Sequence, residues 1–287
     1  IEKWDFENDF RFFPNIKSLL LEMGMKVFFG VDGASDLSRK LSQTFSDLLE
    51  GQMGLFRIEL PGFKFNKAMK AKKVLRDYIA SLIPAAREEE RGDFLVFAAH
   101  DTTTSTLIHQ MYYLAKDQQW QQRLREEGKQ ANGGHALSYE NLSAVPLSEV
   151  CFEESQRLHP SVAMMMRRTI KDCELGGYHI PANTLIFQMP IFNNRFDKYW
   201  TNPDSFDPER FLPERAEHKN HPFAYTAFGG GAHKCIGMHF AYMQAKLFTQ
   251  LFLQRYKFSL PENYEPVFLT IPLPKLQDNL PLIVEKI

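Results

Sequence analysis

Cysteine is scarce in this sequence. Cys151, Cys173 and Cys235 are 3 among 287 residues, an odd, low count that argues against a disulfide framework and for a reducing compartment, with the cytoplasm as the expected location. Neither sign of charge is in excess: 34 Lys and Arg face 35 Asp and Glu, a net charge of −1. That balance gives no support to nucleic-acid binding. No apolar run reaches the length of a membrane span. The chain opens on Ile1 rather than Met, so its natural N-terminus is expected to lie further upstream and an anchor there stays open. Internal repeats and low-complexity segments are also missing. What the chain has in quantity is apolar surface: 44% hydrophobic and 13% aromatic residues, including 25 Phe. That is enough for a sizeable core, and it suits a wide apolar cavity as well as ordinary core filling. The length allows one large domain or two small ones.

Periodicity places the elements. Ile16–Phe29, Asp36–Leu49, Asn66–Ile83, Phe94–Leu114, Trp120–Lys129, Leu147–Leu158 and Met238–Leu253 read as helices. Lys67, Lys70, Lys72, Lys73 and Arg76 on the third of these read as a solvated face. Cys173–Ile180 around Gly176-Gly177, Thr184–Met189, and a small hairpin from Val267 to the end read as strands. Phe192–Pro222 has no period and is rich in Asn, Asp, Pro and aromatics; a coil this long in a compact domain is usually functional. The acidic run Arg87–Asp93 meets the apolar Phe94–Ala99 abruptly, and a segment is expected to be missing near 88–93.

The chain turns on Phe228-Gly-Gly-Gly-Ala-His-Lys-Cys-Ile-Gly237. A glycine run leads into one cysteine, and an amphipathic helix follows. The unpaired N–H groups and positive end of that helix favour a thiolate, and the glycines let the backbone approach something large and flat. Such a thiolate is a metal ligand or a nucleophile. The plainer alternative is an inert buried cysteine beside a turn.

Phe228, Gly231, His233, Cys235 and Gly237 fit the haem-binding loop of the cytochrome P450 family, which this sequence resembles. The family more often carries Arg where His233 stands. The resemblance implies that Cys235 is the axial thiolate of haem b, iron protoporphyrin IX, and that Phe228, Gly229, Gly237 and Ala98 lie against the cofactor. It implies Arg167 and His233 as partners of the propionates; Arg168 is chemically equivalent and loses on register. Ala98-Ala-His-Asp-Thr-Thr103 resembles the family's oxygen-activation motif, with Ala99 replacing the usual Gly. Asp101 would relay protons and Thr102 would position water, because splitting O–O needs protons delivered to one oxygen. Glu154-Ser-Gln-Arg157 matches the family's Glu-x-x-Arg, and Phe206-Asp-Pro-Glu-Arg-Phe211 supplies the third member, Arg210. These three read as scaffold. Without the resemblance, the i,i+3 pair would be an ordinary surface ion pair.

All four motifs stand in the family's order. The expected fold is therefore mainly α, a cytochrome P450 helical bundle around haem with small β-sheets. Residues 1–287 would form a single domain lacking the N-terminal portion. The expected activity is a haem-thiolate monooxygenase that inserts one atom of O2 into a C–H bond of an apolar small molecule. A ferredoxin or flavin reductase would donate electrons, with Lys234 and Lys246 on the docking face. Met164, Met165 and Met166, Phe97 and the Ile271–Pro274 tip are candidate cavity walls. Glu217–Pro222, His100 and His233 most resemble bacterial relatives of the sterol 14-alpha-demethylases, which implies a sterol, terpenoid or fatty-acid-like lipid. The alternatives are a haem protein without turnover, a peroxide-driven hydroxylase, and a helical protein without haem.

Overall fold

The computed structural model describes residues 1–29, 58–88, 96–133, 137–270 and 273–287, with isolated positions 36, 40, 43, 44, 47, 48, 51 and 135. The side chains of 25, 27–29, 79, 82–88 and 96–100 lie outside that description. So do the expected helix Asp36–Leu49, the suspected join from 89 onward, and the side chains of Phe97, Ala98 and His100. Two compact units are present: Ile1–Ile108 with Phe258–Glu285, and His109–Lys257 with Lys286–Ile287.

In the first unit, helix α1 spans Phe12–Phe29 and begins earlier than its apolar stripe suggests. Pro14 in its first turn removes an N–H that would have no partner there anyway. Phe12 and Phe13 donate their N–H groups to Leu280 and Asn279 carbonyls, both at 3.0 Å, so the C-terminal segment caps α1. Phe12, Ile16 and Leu20 are buried beneath it. Helix α2 spans Lys64–Glu88 and runs past Pro84. Helix α3 spans Val96–Lys116, and its residues up to Ile108 belong to this unit. Its Thr-rich centre is held by tertiary partners: Ser105 Oγ donates to the Pro274 carbonyl at 2.6 Å. Thr106 Oγ1 donates back to the Thr102 carbonyl at 3.2 Å.

In the second unit, α4 (Gln118–Asn132) is capped by the Asp117 carboxylate and stopped by Gly133 at φ 60°. Helix α5 spans Pro146–Leu158 and has no side-chain cap of its own, because Val145 precedes it. Glu127 of α4 replaces that cap, accepting from Leu147 N at 2.5 Å and Ser148 N at 3.2 Å. Helix α6 spans Met238–Leu253 and packs on α4 and α5. Gln250 Nε2 joins all three, donating to Ser148 Oγ at 2.7 Å and the Leu124 carbonyl at 3.0 Å. Arg125 Nε satisfies the Leu253 carbonyl at 3.0 Å. A Cβ at Gly128 would run into Gln250 Oε1, so α4 approaches α6 closely there.

The strands form two-stranded ribbons, antiparallel for β1 with β4, β2 with β3 and β6 with β7. Strand β1 (Met165–Arg168) pairs with β4 (Leu185–Gln188), Met165 opposite Gln188. Strand β2 (Cys173–Leu175) pairs with β3 (Tyr178–Ile180) across Gly176 and Gly177, at φ 60° and 81°. Strand β5 (Tyr256–Ser259) pairs with β8 (Ile283–Lys286), and β6 (Phe268–Leu269) with β7 (Lys275–Leu276). Two strands escape sequence reading. Strand β1 lies in a run read for its methionines and for Arg167, and the short alternation of Tyr256–Ser259 stands directly behind a helix.

His159 closes α5 and is partly buried. Its Nε2 lies 2.9 Å from Tyr113 Oη, and its ring stacks on His109 at 4.3 Å. Burial, with His109, Arg195 and Arg157 close by, holds its pKa well below the ordinary histidine range. The native ring is neutral while the unfolded chain takes up a proton, so stability falls as pH drops through the unfolded value of about 6.5. We expect the thermal midpoint to fall below about pH 6.5 and His159→Gln to remove part of that slope. Identical slopes in parent and variant would contradict the assignment.

Candidate functional site

The Cys235 loop is a short hairpin without a sheet. The Cys235 N–H donates to the Phe228 carbonyl at 2.9 Å and closes it. Between them Gly231–His233 make a turn of 3-10 helix. Gly229 and Gly231 sit at φ 72° and 64°, a region that disfavours side chains. At Gly230 a Cβ would come 2.9 Å from the Phe223 ring. Gly237 opens α6, and the Cys235 sulfur lies 3.9 Å from where a Cβ at 237 would stand. Cys235 is free and exposed, and Ile236 beside it is 78% exposed.

This loop fits a flat, apolar, metal-bearing group. It offers one soft sulfur ligand on a backbone stripped of side chains. No cluster of three or more His, Cys, Asp or Glu among the described residues could hold a bare ion. A single soft sulfur suits a metal whose other ligands come with the group itself, as in a porphyrin.

Behind the loop, three buried charges meet. Arg157 Nε and Nη2 fork onto the two Glu154 oxygens at 2.7 and 2.9 Å. Arg210 Nε shares Glu154 Oε1 at 3.1 Å, and Arg210 Nη1 reaches Glu217 Oε2 at 2.8 Å. Glu154, Arg157 and Arg210 are all 0% exposed. The guanidiniums spend their remaining donors on the coil. Arg157 Nη1 holds the Asn194 and Pro203 carbonyls at 2.9 and 2.7 Å. Arg210 Nη1 holds the Thr201 carbonyl at 2.7 Å. Asn194 Oδ1 then accepts from Thr226 N at 3.0 Å, and Thr226 stands just ahead of Phe228. The chain of contacts thus runs from α5 through the coil to the cysteine loop.

Arg167 lies on β1, exposed, with its own neighbour's carbonyl at Met166 as partner. His233 is exposed in the loop. In the first unit, Asp101 is 6% exposed on α3, and its Oδ1 meets Lys17 Nζ of α1 at 2.9 Å. Thr102 follows it, part-buried. The side chain of Ala98 lies outside the described residues.

One expectation is corrected. Lys246 is not a surface cation: it is 6% exposed and paired with Glu149 at 2.7 Å. Its stem belongs to the buried face of α6, and only its charge reaches a partner. Several network members escaped sequence reading. Glu217 accepts from Arg215 as well as Arg210, at 2.5 Å, and Arg215 also reaches Asp207 at 2.6 Å. Nothing in an aperiodic coil marks such residues. Lys17, on α1, has no local mark for a different reason: its partner is remote in sequence.

The family model described as Cytochrome P450 matches residues 64–278. The chain is 33% identical to cytochrome P450 136 of Mycobacterium tuberculosis over 308 residues, covering 96% of this chain and 62% of that protein. It is 26% identical to human lanosterol 14-alpha demethylase, covering 92% of this chain and 58% of that one. A solved structure, retinoic acid bound cyanobacterial CYP120A1, superposes with a TM-score of 0.87 at 26% identity, covering 100% of this chain and 72% of that one. The chain belongs to the cytochrome P450 family, and it spans 62% of the length of the mycobacterial relative. Members of this family bind haem iron.

Replacing Glu154 by Ala strands two buried guanidiniums. We expect a loss of about 3–5 kcal/mol in urea unfolding. Arg210→Lys should cost less but still break the shared geometry, because a lysine cannot fork. A Glu154→Ala midpoint equal to the parent's would show that the triad does not carry the coil.

Proposed function

We propose that the protein is a haem-thiolate monooxygenase that places one oxygen atom of O2 into a C–H bond of an apolar, isoprenoid-like lipid. The single observation that carries this reading is the exposed thiol of Cys235 on its glycine hairpin at the head of α6. Cys235 would hold the iron, with Phe228, Gly229 and Gly237 against the macrocycle. Arg167 and His233, both exposed cationic or protonatable groups, would meet the propionates. When bound, the haem supplies oxygen activation and C–H oxidation, and a thiolate ligand favours O–O cleavage.

The chain's own residues handle protons and access. Asp101 is withdrawn from bulk water and tethered by Lys17 at 2.9 Å, a fixed relay point beside the Thr102 hydroxyl. Glu154, Arg157 and Arg210 hold the coil and touch no reacting atom; theirs is a structural part. The likenesses to a lanosterol demethylase and to a retinoic-acid-bound structure support a sterol or related isoprenoid as substrate. An electron-donor protein, a ferredoxin or a flavin reductase, would supply electrons. Three unpaired cysteines support a reducing, cytoplasmic setting. Among the described residues no helix is long and apolar enough to cross a membrane.

The reduced protein under CO should show the red-shifted Soret band of thiolate ligation, and Cys235→Ser should abolish it. A band unchanged in the variant would refute ligation by Cys235. Thr102→Ala should lower product formation about a hundredfold while reductant is still consumed; coupled turnover in that variant would overturn the relay.

A further inference from the structure

Tyr242 stands where the two ends of the cysteine loop meet. It rides on α6, the helix that opens at Gly237, immediately after the loop. Its ring lies 5.4 Å from the ring of Phe228, the first residue of the loop. Phe152 of α5 closes the aromatic triangle, 5.3 Å from Tyr242 and 6.4 Å from Phe228. The Phe228 carbonyl in turn accepts the Cys235 N–H at 2.9 Å. A shift of the Tyr242 ring would therefore move both anchors of the sulfur. Its hydroxyl is pinned: Tyr242 Oη donates to Glu153 Oε1 of α5 at 2.8 Å.

Resting on the haem-thiolate reading above, we propose that Tyr242, anchored by Glu153, is a positioning residue for the Cys235 sulfur, and that protonation of Glu153 sets the reduction potential of the bound iron. The groups facing Glu153 are Tyr242 and Lys246 from α6 and Glu149 from its own helix, with the Tyr225 hydroxyl of the coil nearby. Burial first, then the charge of Glu149, pushes the Glu153 carboxyl up to about 7, against the opposing Tyr242 bond and Lys246. Below that value the Tyr242 bond is neutral; above it the bond is charge-assisted and shorter, as ionised acceptors make it. The ionised carboxylate also places a negative charge behind the loop, and this opposes the addition of an electron to the iron. Hydrogen bonding and charge around a ligating sulfur are established levers on potential. One electron from a one-electron donor goes to the iron, and Glu153 takes up a fraction of a proton with it.

The test is a spectroelectrochemical titration of the haem-loaded protein between about pH 6 and about pH 8, on the parent, Glu153→Gln and Tyr242→Phe. The parent potential should fall as pH rises. Glu153→Gln should flatten that slope. Tyr242→Phe should keep it but move its inflection to higher pH, because the bond that favours the ionised carboxylate is gone. A merely structural role would change the melting point and leave the slope alone. A Glu153→Gln slope equal to the parent's, in protein with a normal reduced CO spectrum, overturns this inference alone. A parent without the thiolate band removes the haem reading and this inference with it.

Discussion

One carboxylate shared by two guanidiniums is the constraint on which the second unit rests. Glu154 takes a two-pronged grip from Arg157 and a third bond from Arg210, with none of the three in contact with water. Burying charges is costly, and the arrangement survives only because the remaining donors are spent as well. They are spent on backbone carbonyls of the coil: Asn194, Pro203, Ser205 and Thr201. A segment without regular structure has no ladder of its own to satisfy those carbonyls. Two arginines do that work from one side. Lysine could supply the charge but not the fixed fan of donors.

The consequence reaches the cysteine. Once Asn194 is held by Arg157, its side-chain oxygen is placed to receive Thr226 N at 3.0 Å, and Asn193 Nδ2 reaches the Phe223 carbonyl at 2.6 Å. The residues just before Phe228 are thereby fixed at the backbone, not by packing alone. From there a single peptide hydrogen bond locates Cys235. Helix α6 fixes the far end, locked to α4 and α5 through Gln250 and Arg125. The thiol is held between two rigid anchors, as a ligand atom has to be if its distance to a metal is to be reproducible.

Much of this was legible beforehand, and what was not has physical reasons. The helices α5 and α6 and the cysteine loop are plain because they combine period with punctuation: apolar spacing and glycines in a row. Glu154, Arg157 and Arg210 could be named because a spaced motif carried them. Glu217, Arg215 and Asp207 could not, since a coil has no repeat to mark which acids face inward. The charge of Lys246 suggests surface, whereas its position on α6 decides its burial. Strand β1 hid in Met165–Arg168, which shows no alternation because its burial does not alternate cleanly. The pairing of Asp101 with Lys17 depended on two helices meeting, and no local pattern announces that.

An exposed free thiol beside exposed apolar side chains is a liability for a protein on its own. Around Cys235 it comes with Ile236, 78% exposed, Phe223, 54% exposed, and the Met165 sulfur near Gly229. The surroundings are nonetheless specific, from two left-handed glycines to the hydrogen bond by which the Phe228 carbonyl accepts the Cys235 N–H and closes the hairpin. Conformations that favour glycine are often kept where something must come close to the backbone. A glycine-rich surface with one exposed soft donor atom suits the flat, metal-bearing ligand proposed for Cys235.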